Sequence, residues 1–299
     1  MNDILFSIVV PTYNRAKFIR STISSVLAQT YTNFEIVVVD DGSTDNTAEI
    51  MGTINDPRIS YYKKANEERA AARNFGIGVA KGSYVNFLDS DDYVHPNHLA
   101  EALRFLQKHP DAKAFHLGYE FRDTAGKVIR VVDDQKPINE NIIFGNSLST
   151  NGVFVEKQTL LDNPFNEDRV LSSLEDWELW IRLASRVHFY NIPGVTSVVV
   201  QHETRSVMTK DIPAIEAKVS RFIEYVLKDE VNNSKYGSRL KDATASAKTY
   251  ASLHIAMTGT HKRLSLRYLR DGISDSRSQL FTKRFVVVLM LLLGIKRPK

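Results

Sequence analysis

The first third of the chain alternates short apolar runs with segments of helical periodicity. Residues 6–10, 36–39 and 84–88 form largely apolar runs, which are typical of strands buried on both faces. Segments 18–27 and 67–80 carry apolar or alanine residues at helical spacing. This alternation predicts an α/β fold with a Rossmann-like, mainly parallel sheet and helices on both of its faces.

The pattern changes after about residue 110. Residues 115–121 and 128–132 flank a turn sequence, Asp-Thr-Ala-Gly at 123–126, and predict a hairpin. Segments 151–155 and 195–200 are further strand candidates, with a helix expected between them at 176–185. Beyond residue 211 the periodicity indicates several helices, so we expect a helical C-terminal extension.

Composition narrows the class of protein. Hydrophobic residues make up 43% of the chain and charged residues 25%, which indicates a packed core. The absence of cysteine excludes disulfides, cysteine-ligated zinc and thiol catalysis. The first residues lack the basic start and apolar core of a secretory signal, so a cytoplasmic location is expected.

Positive charge is concentrated in the C-terminal segment. Residues 261–299 hold ten Lys and Arg and two Asp, a net charge of +8, which leaves −4 for the remainder. This distribution favours contact with an anionic surface, and we expect no nucleic-acid partner. The apolar run 285–295 is too short to cross a bilayer, which needs about 20 residues. Its basic flanks suit a membrane interface, and the alternative is a helix packed on the rest of the protein.

Polar residues follow three of the apolar runs. Pro-Thr-Tyr-Asn occupies 11–14, Asp40 and Asp41 follow the second run, and Asp-Ser-Asp-Asp occupies 89–92. The carboxyl ends of parallel strands share one edge, so these groups are expected to converge. Three carboxylates repel one another unless a cation lies among them, and oxygen ligands suit Mg²⁺ or Mn²⁺. Such an ion commonly holds a diphosphate. The alternative for 89–92 is a polar turn.

Five motifs in order carry a family resemblance. They are Pro-Thr-Tyr-Asn-Arg (11–15), Asp-Asp-Gly-Ser-Thr-Asp (40–45), Ala-Arg-Asn (72–74), Leu-Asp-Ser-Asp-Asp (88–92) and Glu-Asp-Trp-Glu (175–178). Over residues 5–205 the chain resembles the family 2 glycosyltransferases, which are inverting enzymes of the GT-A fold. The resemblance implies a catalytic domain at 1–210, with a nucleotide-binding half at 1–110 and an acceptor-binding half at 111–210. Residues 211–299 would then form the helical region, with an interfacial tail at 283–299.

The resemblance also implies a donor site for a nucleotide sugar, most simply a UDP-sugar. Asp40 resembles the carboxylate that accepts a hydrogen bond from the base, and Tyr13 would stack on that base beside Pro11 and Thr12. Arg69 and Arg73 lie one helical turn apart, and one of them would reach the base or the phosphates. The alternatives are core packing for Tyr13 and a solvated helix face for the two arginines.

Metal ligands are implied in the same way. Asp91 matches the last residue of the family's DxD motif and would be the principal ligand of Mn²⁺ or Mg²⁺, with Asp92 as a secondary one. Asp89, next to Ser90, would contact the ribose or a metal-bound water. His202 follows the last strand and would be another ligand, or a structural histidine. Arg205 would close over the diphosphate, or be an ordinary surface arginine.

Asp176 matches the family's general base, which removes the proton of the acceptor hydroxyl. Its alternative is a carboxylate that complements a helix dipole. Glu175 would bind a sugar or acceptor hydroxyl, and Trp177 would form an acceptor platform or belong to the core.

The sequence therefore predicts a metal-assisted glycosyltransferase acting on a glycan or lipid-linked acceptor at the inner face of the plasma membrane. Assembly of a bacterial surface polysaccharide is expected by analogy. Two alternatives remain: a nucleotidyltransferase, and a non-catalytic protein that binds nucleotide sugars or glycans.

Overall fold

A computed structural model describes residues 4–202 and 211–295. The chain forms two compact units. The sheet unit comprises Met1–Ile138, Leu148–Arg169 and Val187–Thr204, and the helical unit comprises Asn139–Ser147, Val170–Arg186 and Arg205–Lys299.

All strands of the described residues belong to the sheet unit. They are β1 (Phe6–Thr12), β2 (Phe34–Asp40), β3 (Ile59–Lys63), β4 (Tyr84–Phe87), β5 (Tyr93–Val94), β6 (Ala114–Asp123), β7 (Val128–Val132), β8 (Val153–Glu156) and β9 (Phe189–Gln201). They form one sheet in the order β3-β2-β1-β4-β8-β6-β9-β5, and β7 pairs with β6. The first four are parallel, as the buried apolar runs predicted.

The α-helices alternate with strands at first and then follow one another. They are α1 (Ile19–Leu27), α2 (Thr47–Gly52), α3 (Glu68–Val79), α4 (His98–Lys108), α5 (Ile138–Asn141), α6 (Lys157–Asp162), α7 (Glu175–Arg186), α8 (Ile212–Lys228), α9 (Glu230–Tyr236), α10 (Leu240–Met257), α11 (Lys262–Asp275) and α12 (Lys283–Leu292).

Helices cover both faces of the sheet. Phe6, Ile8 and Val10 pack in one buried cluster with apolar residues of α1 and α4. On the opposite face α3 approaches β1 so closely that a Cβ at Gly76 would lie 2.4 Å from Val9 Cγ1. Only glycine permits this contact, which brings α3, with its buried Arg73, close to the sheet.

The second half of the sheet mixes strand directions. The predicted hairpin is present as β6 and β7, which pair antiparallel. The strand predicted at 195–200 starts earlier, at Phe189, because β9 pairs in parallel with the whole of β6. The register between β6 and β9 shifts at Gly118, where a Cβ would lie 3.0 Å from the carbonyl oxygen of Gly194. The fold is the predicted α/β type.

The helical unit is centred on α10, whose alanine and serine side chains are largely buried. α12 contributes Arg284, whose Nη1 donates to the carbonyl oxygen of Ser246 on α10 at 2.7 Å. Val288 is the buried residue of α12. Among the described residues, no helix has both the length and the apolar character that a bilayer crossing requires.

Candidate active site

The three predicted polar segments share one edge of the sheet. Thr12 and Asp40 are paired in the parallel register of β1 and β2, and the N–H of Asp41 donates to the carbonyl oxygen of Thr12 at 2.8 Å. On the other side of β1, the N–H of Leu88 donates to the carbonyl oxygen of Val9 at 3.0 Å. Motif residues 11–15, 40–45 and 89–92 therefore extend from adjacent strand ends.

Asp40 is fully buried, and both of its carboxylate oxygens accept hydrogen bonds from the protein. Its Oδ1 accepts from the N–H of Ser43 at 2.7 Å, and its Oδ2 accepts from the hydroxyl of Tyr61 on β3. Burial, followed by the contact with Asp40, raises the pKa of Tyr61. This environment does not suit the contact with a nucleobase that was predicted for Asp40, because the side chain is fully buried and both oxygens already accept hydrogen bonds.

The neighbouring Asp41 has a different environment. Its Oδ1 accepts from Nζ of Lys64 at 3.1 Å and from the N–H of Glu67 at 2.9 Å. No hydrogen bond among the described residues involves its Oδ2. Asp41 is also buried, but its Oδ2 keeps acceptor capacity for a ligand, while its charge is balanced by Lys64.

Thr12 ends β1 and Tyr13 follows it, and each leaves a group that a ligand could contact. The hydroxyl of Thr12 is buried and has no hydrogen-bond partner among the described residues. A buried hydroxyl without a partner is costly, which suggests a group that a ligand satisfies. Tyr13 is 46% exposed, so its ring is not part of the core. Pro11 lies inside the sheet, paired with Val39.

The loop after β1 is fastened to the segment after β2. Asn14 has a left-handed backbone conformation (φ 52°), and its side-chain Oδ1 accepts from the N–H of Thr44 at 2.8 Å. The N–H of Arg15 donates to Oγ1 of Thr47 at 3.0 Å. The N–H of Ala16 donates to Oδ2 of Asp45 at 3.1 Å. Burial tends to raise the pKa of Asp45, but the hydrogen bonds of Thr47 and Ala16 outweigh it, and the pKa lies below its usual value.

Asp91 is paired with two nitrogen donors at the same oxygen. Its Oδ2 lies 3.1 Å from Nε of Arg15 and 3.0 Å from Nε2 of His202. The ring of His202 stacks on Phe18, with centroids 4.6 Å apart. His202 follows β9, so the fold brings it to Asp91 from 111 positions away along the chain.

Asp89 and Asp92 have separate partners. Asp89 Oδ1 lies 3.0 Å from Nη2 of Arg73, which is buried on α3. Arg73 is therefore not on a solvated face; Arg69, one turn earlier, is partly exposed. Both oxygens of Asp92 accept hydrogen bonds, Oδ1 from the N–H of Val200 and Oδ2 from Nδ2 of Asn151, each at 2.8 Å. That environment favours a positioning role for Asp92 over the predicted contact with a metal.

Ser90 is buried within the same loop. Its carbonyl oxygen accepts from Oγ1 of Thr22 on α1 at 3.0 Å, and the carbonyl oxygen of Asp92 accepts from the same hydroxyl at 2.8 Å. The loop is therefore held by α1 on one side and by β9 on the other. Arg205 lies outside the described residues, so its predicted role has no structural counterpart here.

Residues 4–202 and 211–295 contain no group of three His, Asp or Glu side chains arranged to hold a metal. The Asp91 and His202 pair nevertheless fits a hard divalent ion, because a carboxylate oxygen and an imidazole nitrogen both bind Mn²⁺. The guanidinium already placed on Asp91 shows that this oxygen attracts positive charge. A diphosphate would have to supply the remaining oxygen ligands.

Asp176 lies in the helical unit, in the first turn of α7. Its Oδ2 accepts from Nδ2 of Asn146 at 2.9 Å, and its Oδ1 from the N–H of Trp177 at 2.7 Å. Burial, then the charges of Asp176 and Glu175, raise the pKa of Tyr250 to about 12. Asp176 is partly exposed, whereas Glu175 is buried.

Trp177 belongs to the core, which corrects its prediction as an acceptor platform. The side chain is buried, its ring stacks on Phe222 with centroids 4.4 Å apart, and its Nε1 donates to the carbonyl oxygen of Ile142 at 2.7 Å. Neither its face nor its N–H is left for an acceptor.

Four residues that matter for this geometry had no predicted role: Asp41, Arg15, Asn146 and Asn151. Asp41 and Arg15 stand inside motifs, so their position was a usable signal. The two asparagines act through partners 30 and 59 positions away. Nothing local in the sequence marks such contacts.

The fold and this edge of carboxylates define a GT-A class protein. The family model "Glycosyl transferase family 2" matches residues 7–145. An uncharacterized glycosyltransferase of Rickettsia typhi is 31% identical over 242 residues, which cover 76% of this chain and 74% of the relative. The chain belongs to glycosyltransferase family 2, as its motifs predicted.

Coverage of relatives differs. An uncharacterized glycosyltransferase of Rickettsia conorii is 30% identical over 298 residues, 97% of this chain, yet the chain spans only about half of that relative (48%).

Solved structures share the fold. S. aureus TarS 1-349 in complex with UDP-GlcNAc superposes with a TM-score of 0.65 at 19% identity, covering 99% of this chain and 93% of that one. The mannosyltransferase PcManGT from Pyrobaculum calidifontis, in complex with GDP-Man and Mn²⁺, gives 0.57 at 18% identity, covering 97% and 86%.

Proposed function

We propose that this chain catalyses inverting transfer of a sugar from a nucleoside-diphosphate sugar, in particular a UDP-sugar, to a hydroxyl group of a glycan or lipid-linked acceptor. The observation that carries the proposal is the shared sheet edge. It brings Asp41, whose Oδ2 makes no hydrogen bond among the described residues, and the Asp91–His202 pair to neighbouring strand ends. Ligands of parallel α/β sheets bind at this edge.

The donor nucleoside is assigned to the ends of β1 and β2. Asp41 would accept a hydrogen bond from the base in place of Asp40, whose two oxygens already accept from Ser43 and Tyr61. The exposed ring of Tyr13 would stack on that base. The unpartnered hydroxyl of Thr12 would be satisfied by the nucleotide. TarS, which has this fold, was crystallised with UDP-GlcNAc, and that supports a UDP-linked donor.

Asp91 and His202 would hold Mn²⁺ or Mg²⁺. When bound, the ion neutralises negative charge on the departing diphosphate. The Mn²⁺ in the PcManGT complex supports a metal in this fold. Asp89, held by Arg73, would lie near the ribose, and Asp92 would keep the loop in place.

Asp176 would be the general base. It would take the proton of the acceptor hydroxyl as that oxygen bonds to the anomeric carbon, while the bond from that carbon to the diphosphate oxygen breaks. Asn146 and the backbone N–H of Trp177 each hold one carboxylate oxygen, and together they fix the orientation of the side chain. The first turn of α7 stabilises the ionised carboxylate, which is the form that accepts a proton, so the dipole contact and the general-base role are compatible.

A membrane-linked acceptor is supported by the surface of the helical unit. Phe281 is 90% exposed and Leu293 is 73% exposed, next to Lys283 and Lys262. Exposed apolar side chains among lysines suit an anionic lipid interface. With this surface we propose a place at the inner face of the plasma membrane, and by analogy a role in surface polysaccharide assembly.

The test is donor turnover by the full chain. UDP release from UDP-GlcNAc and UDP-glucose is measured with Mn²⁺, with Mg²⁺ and with EDTA. We expect metal-dependent release that is lost in both D91N and D176N. If UDP-sugars bind but neither is turned over with any metal or acceptor, the chain is a binding protein and the proposal fails. Release of pyrophosphate from a nucleoside triphosphate and a sugar phosphate would instead indicate a nucleotidyltransferase.

A further inference from the structure

The proposed transfer gives no role to Arg15, although this residue makes the closest cationic contact with Asp91. Its Nε lies 3.1 Å from Oδ2 of Asp91. The same oxygen receives Nε2 of His202 at 3.0 Å. Both side chains are largely buried, with 20% of Arg15 and 10% of Asp91 exposed. The charge of the carboxylate is therefore balanced by a guanidinium inside the protein.

The position of Arg15 is set by the backbone around it. Its own N–H is bound by Thr47, and the following N–H is bound by Asp45, which belongs to the Asp-Asp-Gly-Ser-Thr-Asp motif. Arg15 also accepts, through its carbonyl oxygen, from the N–H of Phe18 at 2.9 Å. Phe18 in turn stacks on His202. One turn of chain thus contacts both members of the Asp91–His202 pair.

Such a fixed guanidinium has an electrostatic consequence for a divalent ion. Arginine keeps its charge at every relevant pH, so it cannot make room by losing a proton. A metal ion on Oδ2 of Asp91 would lie beside a like charge at short distance in a partly buried site. The guanidinium must therefore leave this oxygen when the ion arrives.

We propose that Arg15 is the resident counter-cation of Asp91, which a divalent ion displaces on binding. Arg15 holds the carboxylate in place without metal and lowers the metal affinity of the site. This inference rests on the proposed metal role of Asp91 and His202, and it adds a residue that sets the threshold for metal binding.

The experiment measures Mn²⁺ binding by electron paramagnetic resonance of the free ion, with and without UDP. The proteins are the full chain with its native sequence, R15M, R15Q and, as a matched control, R20M, whose arginine is exposed on α1. We expect both position-15 variants to bind Mn²⁺ roughly tenfold more tightly without nucleotide, because a like charge has been removed. R20M should match the native chain. The second neutral variant keeps the test valid if R15M does not fold.

Thermal melting gives an independent readout. Without metal, R15M and R15Q should melt below the native chain, since Asp91 has lost its cation, and Mn²⁺ should raise their melting temperature more. Equal or weaker Mn²⁺ binding in both variants overturns the inference. If the native chain still shows Mn²⁺-dependent donor turnover, that result leaves the proposed function standing. If no protein binds Mn²⁺ even with UDP, the metal role and this inference fail together.

Discussion

Asp92 ties the backbone of Val200 to the loop that carries Asp91. The carboxylate accepts the N–H of Val200 at 2.8 Å and is held on its other oxygen by Asn151. Val200 lies two residues before His202, so this bond places the histidine beside Asp91. A residue expected among the metal ligands instead supports the geometry of the pair.

The first prediction concerns this support. In D92N, the amide nitrogen would face one of two N–H donors, so one hydrogen bond is lost and a buried donor is left unsatisfied. We expect unfolding free energy to fall by about 1–3 kcal/mol, measured by urea denaturation. D162N, at an exposed position, serves as the control and should change stability by less than about 0.5 kcal/mol. Equal stability of D92N and the native chain would contradict the assignment.

The second prediction separates the two adjacent aspartates. D41N should weaken UDP binding by about tenfold or more, the order of a charge-assisted hydrogen bond, as measured by calorimetry. D40N should mainly lower stability, because Asp40 is buried between Ser43 and Tyr61. If D40N loses UDP affinity at native stability while D41N binds normally, Asp40 is the base contact as the sequence resemblance implied.

The third prediction concerns Asp176 and Asn146. D176N should lower donor turnover by about 10²–10⁴-fold, the usual contribution of a general base, and leave UDP affinity unchanged. N146A should lower donor turnover less than D176N does, since it removes one hydrogen bond to Asp176 and leaves the carboxylate in place. UDP release and UDP calorimetry measured on the same preparations check both. A D176N protein with near-native turnover would remove the general-base role.

The fourth prediction is a pH dependence of stability. Burial lowers the pKa of His98 to about 3 and that of His116 to about 4, whereas an unfolded histidine has a pKa near 6.5. The stabilisation from their neutral forms is therefore complete above about pH 6.5 and is lost as the pH falls towards the folded values. Each histidine should contribute a slope of about 1.4 kcal/mol per pH unit.

H98N tests this sign, because asparagine is neutral at both ends of the range. Its unfolding free energy, compared with that of the native chain between pH 5.5 and 4.5, should show a pH slope reduced by about one proton, because this range lies below the unfolded pKa and above the folded one. An unchanged slope would mean that His98 does not bind a proton on unfolding.

The fifth prediction concerns the exposed apolar surface of the helical unit. F281E and L293E should reduce flotation of the protein with phosphatidylglycerol vesicles, because each places a negative charge at the proposed lipid interface. Deletion is a poorer test, since α12 also supplies the packed Arg284. The matched control is I129E, an exposed apolar position of the sheet unit. Equal loss in all three variants, or in none, would exclude this surface.

The sheet was predictable because its first strands are apolar on both faces, a pattern with little ambiguity. Their shared edge followed from parallel pairing alone. The different environments of Asp40 and Asp41 could not be predicted in this way. They depend on the turn at Gly42, whose φ of 83° redirects the chain directly after the two aspartates. The sequence alone does not distinguish the environments of two adjacent aspartates.

Long-range partners account for the remaining differences. No sequence feature near Asp92 indicates its hydrogen bond with Asn151, and none near Asp176 indicates its hydrogen bond with Asn146. For Trp177 the helical spacing with Trp180 already offered the core interpretation, which the structure supports. The motifs therefore indicate which segments lie at the same edge of the sheet, while the orientation of each side chain depends on distant segments.

The metal role proposed for His202 and Asp91 implies a minimum length for an active protein of this type. The segment matched by the family model stops at residue 145, before this histidine and before Asp176. A truncated copy ending there would retain the Asp-Ser-Asp-Asp signature and still be recognised as a relative. It would keep Asp91 but lack His202, the second proposed metal ligand, and Asp176, the proposed general base. A match to the family model and the ability to transfer a sugar are therefore separate properties of this chain.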